Sequence, residues 1–318
     1  MVPKQIAFLF PGQGSQSIGM LRDLNDEYSI VQDTFEVASQ VLGYDLFALI
    51  QNGPSSELDQ TIHTQPALLA AGVTIWRIWQ EQRGIAPVLM AGHSLGEYTA
   101  LVCANALEFS TAVELVAERG RLMQEAVPEG LGAMAAIIGL STAQVEELCR
   151  IAKGNSDEVL SPANYNAEGQ IVIAGHTTAI ERALGLAKEH GAKLAKRLPV
   201  SVPSHCSLMK HAAEQLALRL ATISLQTPEI PVINNVDVAF PSDPSAIKDA
   251  LIRQLYRPVR WVELMNRVAS ESIELAVEAG PGKVLTGLNK RIDPAVLTLA
   301  VYDPASLQEA LMVTSELK

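Results

Sequence analysis

The pentapeptide Gly92-His93-Ser94-Leu95-Gly96 follows an apolar run at 88–91 and precedes a helix-like stretch at 97–107. Few backbones accommodate a buried strand, a sharp reversal and a helix in such close succession. Glycines on either side of the serine let the chain turn tightly, and the turn lifts the hydroxyl clear of the sheet edge. Taken alone the pentapeptide is ordinary loop chemistry, and a plain Gly-rich turn is the competing reading. In its strand–turn–helix setting it marks Ser94 as a candidate nucleophile.

The surrounding pattern supplies the sheet that such an elbow needs. Residues 6–10 read as a short buried strand running into a Gly/Gln loop at 11–16. Thr64 is placed to cap a long helix with Pro66 in its first turn. Strand 88–91, the elbow and two further helices follow, an alternation that points to a parallel sheet covered on both faces. The period changes near Leu131. A strand at 132–138, a helix at 142–153 opened by Ser141, strands at 159–165 and 170–174, a helix at 177–189 and a strand at 192–198 give the order βαββαβ, the ferredoxin-like pattern. Strands at 231–235, 273–279 and 296–302 resume the first pattern, and Asp303-Pro304 opens the last helix. The expected fold class is α/β. Its large catalytic subdomain covers 1–130 and 199–318, and its inserted ferredoxin-like subdomain covers 131–198. With 318 residues, 48% of them apolar, the chain can bury one large core and a satellite.

Charge and cysteine usage exclude several functions. A net charge of -11 with no dense Lys/Arg run argues against nucleic acid. The longest apolar stretch, near 66–76, falls short of the roughly 18 residues a membrane span needs. Lys4 followed by the run at 6–10 is too short for a signal-peptide core. Cys103, Cys149 and Cys206 are dispersed and odd in number, which reads as reduced thiols in a cytoplasmic protein. The histidines never bracket a carboxylate at i,i+4 spacing, so no metal site is expected.

A serine hydroxyl needs a base. His93 lies within the elbow, and the turn should send its ring elsewhere to pack locally. His63, His176, His190 and His211 read as surface residues. His205 ends the run at 198–204 that leaves the small subdomain and re-enters the large one, so it faces the cleft where substrates bind. No acid between Ser94 and His205 is well placed: Asp157 and Glu168 belong to the small subdomain and read as solvated. A backbone carbonyl could instead fix the imidazole tautomer. The loop Pro11-Gly12-Gln13-Gly14-Ser15-Gln16 matches neither a dinucleotide fingerprint nor a P-loop, since Ser17 replaces the third Gly and no Gly-Lys-Ser/Thr follows. The N–H groups of Gln13 and Leu95 could hold an oxyanion, and a plain turn is the alternative.

A helix at 112–126, with Thr111 and Glu114 as its capping box, gathers Glu114, Glu118, Arg121 and Glu125 on one polar face. Arg119 falls in the middle of the apolar arc, between Leu115/Leu122 and Val116/Met123. A guanidinium cannot shed its charge, and burying it unpaired costs several kcal/mol. It must meet either a core carboxylate or a substrate carboxylate held in its fork.

Several motifs together resemble a known family: Phe10-Pro11-Gly12-Gln13-Gly14-Ser15-Gln16, Gly92-His93-Ser94-Leu95-Gly96-Glu97, Arg119-Gly120-x-x-Met123-Gln124, Asn164-Tyr165-Asn166, Pro203-Ser204-His205, Gln254-Leu255-Tyr256-x-Pro258-Val259-x-Trp261 and Glu278-x-Gly280-Pro281-Gly282. In order and along nearly the whole chain, they are similar to malonyl-CoA:acyl carrier protein transacylases. The resemblance implies Ser94 as acylated nucleophile, His205 as base, and Gln254 as the residue whose carbonyl orients it. It also implies Gln13 and Leu95 as oxyanion donors, and Arg119, Gln65, His93 and Asn164 as substrate-binding residues. The implied fold is an α/β-hydrolase-like subdomain with a ferredoxin-like insertion and the site between them. The implied substrates are malonyl-CoA and the phosphopantetheine thiol of acyl carrier protein, with no bound cofactor. The carrier is acidic, so Lys193, Lys196, Arg197, Lys283, Lys290 and Arg291 become candidate docking cations. The sequence is compatible with a monomer. A serine hydrolase (thioesterase or esterase) on a similar scaffold is the alternative, and an inactive acyl-binding protein is a more distant one.

Overall fold

The computed structural model describes residues 5–154, 157–200 and 202–316; Lys4 and Ser201, both used in the sequence reading, lie outside the described residues. Nine strands occur among them: β1 (Ile6–Phe10), β2 (Leu89–Gly92), β3 (Gly132–Ile138), β4 (Leu160–Ala167), β5 (Gln170–His176), β6 (Leu194–Arg197), β7 (Val232–Ile233), β8 (Leu275–Ala279) and β9 (Leu297–Val301).

They form two sheets. The first has the order β7-β2-β1-β8-β9, and every pairing in it is parallel. Its central strand β1 is apolar throughout, as a strand covered on both faces must be. Ile6, Phe8 and Phe10 point into one core with the Thr61–Glu81 and Phe109–Glu125 helices. Ala7 and Leu9 point into a second core with Trp261, Leu264 and Leu285. The second sheet is antiparallel with the order β4-β5-β3-β6, and the helices Thr142–Ala152 and Thr177–Glu189 cover one face. That is the βαββαβ unit expected from the sequence. Its strands all lie between residues 132 and 197.

Three local expectations need correction. The helix read at 112–126 begins at Phe109, because Glu108 caps it: its carboxylate accepts from Ser110 N–H at 3.0 Å and Thr111 N–H at 2.7 Å. The Thr111/Glu114 pair therefore sits inside the helix. Thr64 caps nothing, since its helix starts at Thr61 and its hydroxyl donates back to Leu58 O and Gln60 O. Pro66 consequently lies past the first turn, inside the helix, where it has no N–H to give to the carbonyl of Ile62. The helix after the elbow stops at Cys103, short of residue 107.

Candidate active site

Gly92 and Gly96 are required by contact as much as by conformation. A Cβ on Gly92 would lie 1.8 Å from Gly96 C, and one on Gly96 would lie 2.0 Å from Phe10 O. With both flanks bare, β2 passes through Ser94 into the Gly96–Cys103 helix in one tight reversal. Ser94 takes the left-handed conformation, φ 52°, which is strained for a side-chain-bearing residue. The strain is held from the loop after β7. Asn235 Oδ1 accepts the Ser94 N–H at 2.7 Å, and Asn235 Nδ2 donates to Gly92 O at 2.7 Å.

Ser94 Oγ lies 2.8 Å from His205 Nε2. His205 Nδ1 lies 2.7 Å from the backbone oxygen of Gln254, which can only accept, so Nδ1 carries the proton and Nε2 is free to accept from the serine. Among the described residues no acid completes this pair; a carbonyl does the orienting. His205 is only 3% exposed and also has a positive φ, 61°. Burial, and next the positive charge of Arg119, lower its pKa to about 3, so the resting ring is neutral.

Arg119 is 1% exposed. Its Nη1 donates to Gln65 Oε1 at 2.7 Å, and its Nη2 donates to Gln254 Oε1 at 3.0 Å and Ser94 Oγ at 3.3 Å. The Nε has no partner, and the Tyr98 ring lies 5.3 Å from the guanidinium carbon. Among the described residues no carboxylate pairs directly with this cation. Of the two readings left open by the sequence, an internal acid in direct contact is therefore not found; buried Glu97 acts on the cation only from beyond Gln254. The fork points at the serine, held by neutral amides that leave its charge available.

The cleft around these groups has a volume of ≈ 310 Å³; loops and helices around the first sheet form one side, and strands β3, β4 and β5 of the second sheet contribute to the other. Gln13, Gln65, His93, Leu95 and Arg119 line it from the large side, Asn164, Gln170 and Val172 from the small one. Among the described residues, neither the Gln13 N–H nor the Leu95 N–H makes a hydrogen bond, so both donors remain free. His93 departs from its expected local packing: its Nε2 donates across the cleft to Asn166 Oδ1 at 2.8 Å, and its ring stacks obliquely on Trp261. The other four histidines lie outside the cleft.

Three positioning residues escaped the sequence reading. Asn235 has been described. Buried Glu97 accepts from Gln254 Nε2 at 2.7 Å and Asn235 N–H at 2.9 Å. Glu278 of β8 accepts from Leu285 N–H, Thr286 N–H and Thr286 Oγ, fastening the start of the Val284–Ile292 helix whose Val284, Leu285 and Leu288 wall the cleft. For Glu97 a signal existed: it is the one charged residue of an otherwise uncharged helix.

A serine on a strained elbow, a neutral histidine against it and two free N–H donors nearby form a constellation suited to acyl transfer through a covalent intermediate. Residues 7–291 match the model of the acyl transferase domain, and the chain belongs to that family. Its curated relatives carry a narrower name. The chain is 55% identical over 307 residues to the malonyl CoA-acyl carrier protein transacylase of Salmonella typhimurium, covering 96% of this chain and 99% of that one. It is 44% identical over 314 residues to the enzyme of that name from Bacillus subtilis, covering 98% of each. Among solved structures, an acyl carrier protein S-malonyltransferase from Vibrio cholerae superposes with a TM-score of 0.93 at 56% identity, covering 96% of this chain and 99% of that one. A malonyl-transacylase solved in complex with its type II PKS acyl-carrier protein superposes with a TM-score of 0.95 at 53% identity, covering 97% and 99%.

Proposed function

We propose that this chain transfers the malonyl group of malonyl-CoA to the phosphopantetheine thiol of an acyl carrier protein through a malonyl-serine intermediate. Ser94 Oγ attacks the thioester carbon while its proton passes to His205 Nε2. The oxygen of the tetrahedral adduct takes its hydrogen bonds from Gln13 N–H and Leu95 N–H. The C–S bond breaks, and coenzyme A leaves with the proton His205 accepted. The carrier thiol then gives its proton to His205 and attacks the acyl-serine, and Ser94 recovers its hydrogen as it departs. Gln254 O keeps the imidazole in the tautomer both halves need. Arg119 holds the distal carboxylate of the malonyl group, with Gln65, His93 and Asn164 completing the pocket.

The observation that carries this reading is that, among the described residues, no carboxylate contacts Arg119, whose Nη2 lies 3.3 Å from the serine oxygen. A hydrolase acting on neutral acyl groups has no use for a buried cation that no carboxylate contacts at that place. The division into a catalytic part (1–130 and 199–318) and an inserted part (131–198) fits the two sheets, and the acyl group would sit between them. Lys193, Lys196, Arg197, Lys283, Lys290 and Arg291 are exposed; Arg197 and Lys283 adjoin the cleft-lining Leu198 and Val284, Arg291 bonds the cleft-lining Gln170, and such cations suit an acidic carrier. Among the described residues no helix is long and apolar enough to cross a membrane.

The test is intact-protein mass spectrometry after mixing with malonyl-CoA. The expected result is a malonyl adduct that disappears on adding carrier protein and never forms in Ser94→Ala. An adduct surviving in Ser94→Ala overturns the mechanism. Rapid thioester hydrolysis in the absence of an acceptor thiol would favour a thioesterase.

A further inference from the structure

The mechanism above leaves one buried carboxylate without a task. Glu97 lies in the first turn of the Gly96–Cys103 helix, three residues after Ser94. Its Oε2 receives Gln254 Nε2 at 2.7 Å and Asn235 N–H at 2.9 Å. These two partners also hold the site: Gln254 orients His205 and touches Arg119, and Asn235 pins the elbow.

An amide side chain has an accepting end and a donating end, and its orientation decides what Arg119 meets. Gln254 Nε2 donates to Glu97 Oε2 and also to Ser94 O at 3.1 Å. With both hydrogens drawn to acceptors on the elbow, Oε1 is left facing Arg119 Nη2. The reversed amide would set N–H against N–H. Glu97 also bears the charge that the surroundings of Arg119 otherwise lack. The positive charge of Arg119 opposes protonation of His205, the event on which serine attack depends.

We propose that Glu97 is a positioning residue acting through Gln254 on Arg119: it fixes the amide with its oxygen toward the guanidinium and supplies the counter-charge that lets a cation stand beside Ser94 and His205 before a substrate carboxylate arrives. The proposal deepens, and rests on, the roles given above to Ser94 and Arg119. The charged and titratable groups that act on Glu97 are Arg119 from the Phe109–Glu125 helix, Tyr98 beside it, and Asp237 after β7, itself paired with Arg253. Burial raises the Glu97 carboxyl to about 7, while it lowers His205 to about 3 and pushes His93 below its ordinary value. Of these three groups, Glu97 is the one whose protonation is expected to change nearest neutrality.

The experiment is the rate of Ser94 labelling by a fluorophosphonate between pH 5 and 9 in the wild type, Glu97→Gln, Arg119→Ala and the double variant. The readout needs no acyl substrate, so failure of malonyl transfer and failure of this proposal are separable. The wild-type rate should rise as pH passes through about 7. Glu97→Gln, which keeps the size and an accepting oxygen, should label several-fold more slowly at pH 8 and lose that rise. In the Arg119→Ala background the same substitution should add little. A wild-type rate and profile in Glu97→Gln overturns the proposal, and so does an equal loss with and without Arg119. If Glu97→Gln does not fold, Glu97→Asp decides: the shorter carboxylate draws away from Gln254 and should slow labelling several-fold, and a wild-type rate in Glu97→Asp overturns the proposal.

Discussion

Arg119 and Arg121 stand two residues apart on one helix, and its two faces treat them in opposite ways. Arg121 is 42% exposed and meets two glutamates, Glu118 at 2.6 Å and Glu125 at 2.5 Å. Arg119 is buried and meets two glutamines and a serine. On the outer face, water and local i,i+3 and i,i+4 carboxylates satisfy the charge cheaply. On the inner face, among the described residues, no carboxylate touches the guanidinium, although desolvation makes such a charge costly there. A buried charge with no carboxylate in contact is what a binding site for an anion requires, and under the proposed function the stability lost there is the counterpart of affinity for a substrate carboxylate.

The sharpest way to break this comparison is Arg119→Ala. Malonyl transfer should fall by roughly a hundredfold or more, from the loss of charge-assisted hydrogen bonds to the carboxylate. Acetyl transfer should fall far less or rise. Steady-state kinetics with both acyl-CoAs would measure the ratio, and an equal loss for both would make Arg119 a structural residue like its neighbour.

A second test asks whether the inner face carries a cost at all. Glu97 has a native pKa of about 7 against an ordinary 4.5. The native state thus binds the Glu97 proton more tightly than the unfolded chain does. Its penalty is absent at low pH, grows as pH rises between those two values, and is complete above about 7. On this scale Glu97→Gln should stabilise the protein by on the order of 3 kcal/mol at pH 8 and leave it unchanged at pH 4. Thermal melts at the two pH values would show the difference, and the same shift at both would remove the electrostatic account.

These residues also show what a sequence reveals and what it hides. The elbow, the small subdomain and Arg119 were legible because each is a local pattern: a pentapeptide, a strand–helix order, a charge out of phase with its helix. His205 was legible from its place at the junction between the two sheets. Asn235 was not, since its bonds reach Gly92 and Glu97 across 143 and 138 positions and two asparagines after a strand carry no periodic signal. Glu278 was quoted only within a motif; its task of capping a helix from a neighbouring strand depends on tertiary placement. The Glu108 cap was missed because a carboxylate reaches the first turn from three residues earlier than the Thr111 cap expected from the sequence. Glu97 could have been found by the argument that found Arg119.

The exposed side of the comparison extends to the cleft rim. Arg197 lies 3.4 Å from Glu181 and is 43% exposed, so like Arg121 its charge is shared with water. If rim cations steer an acidic carrier, reversing Lys196 and Arg197 to Glu should raise the KM for carrier protein several-fold, more at low salt, and leave that for malonyl-CoA unchanged. Unchanged carrier kinetics would take both residues out of the interface.

The smallest effect is expected where the paired charges are most numerous. Arg121→Ala removes two ion pairs at once, yet each is solvated on a surface helix, where such a pair contributes about 0.5 kcal/mol. Loss of both should lower stability by at most about 1 kcal/mol, and less in high salt, because the partners Glu118 and Glu125 regain water when Arg121 goes. Transfer kinetics should match the wild type for both acyl-CoAs. A loss of malonyl transfer approaching that of Arg119→Ala would mean that the outer glutamates brace the inner fork through the helix. The two faces would then be one coupled device, and the contrast drawn between them would fail.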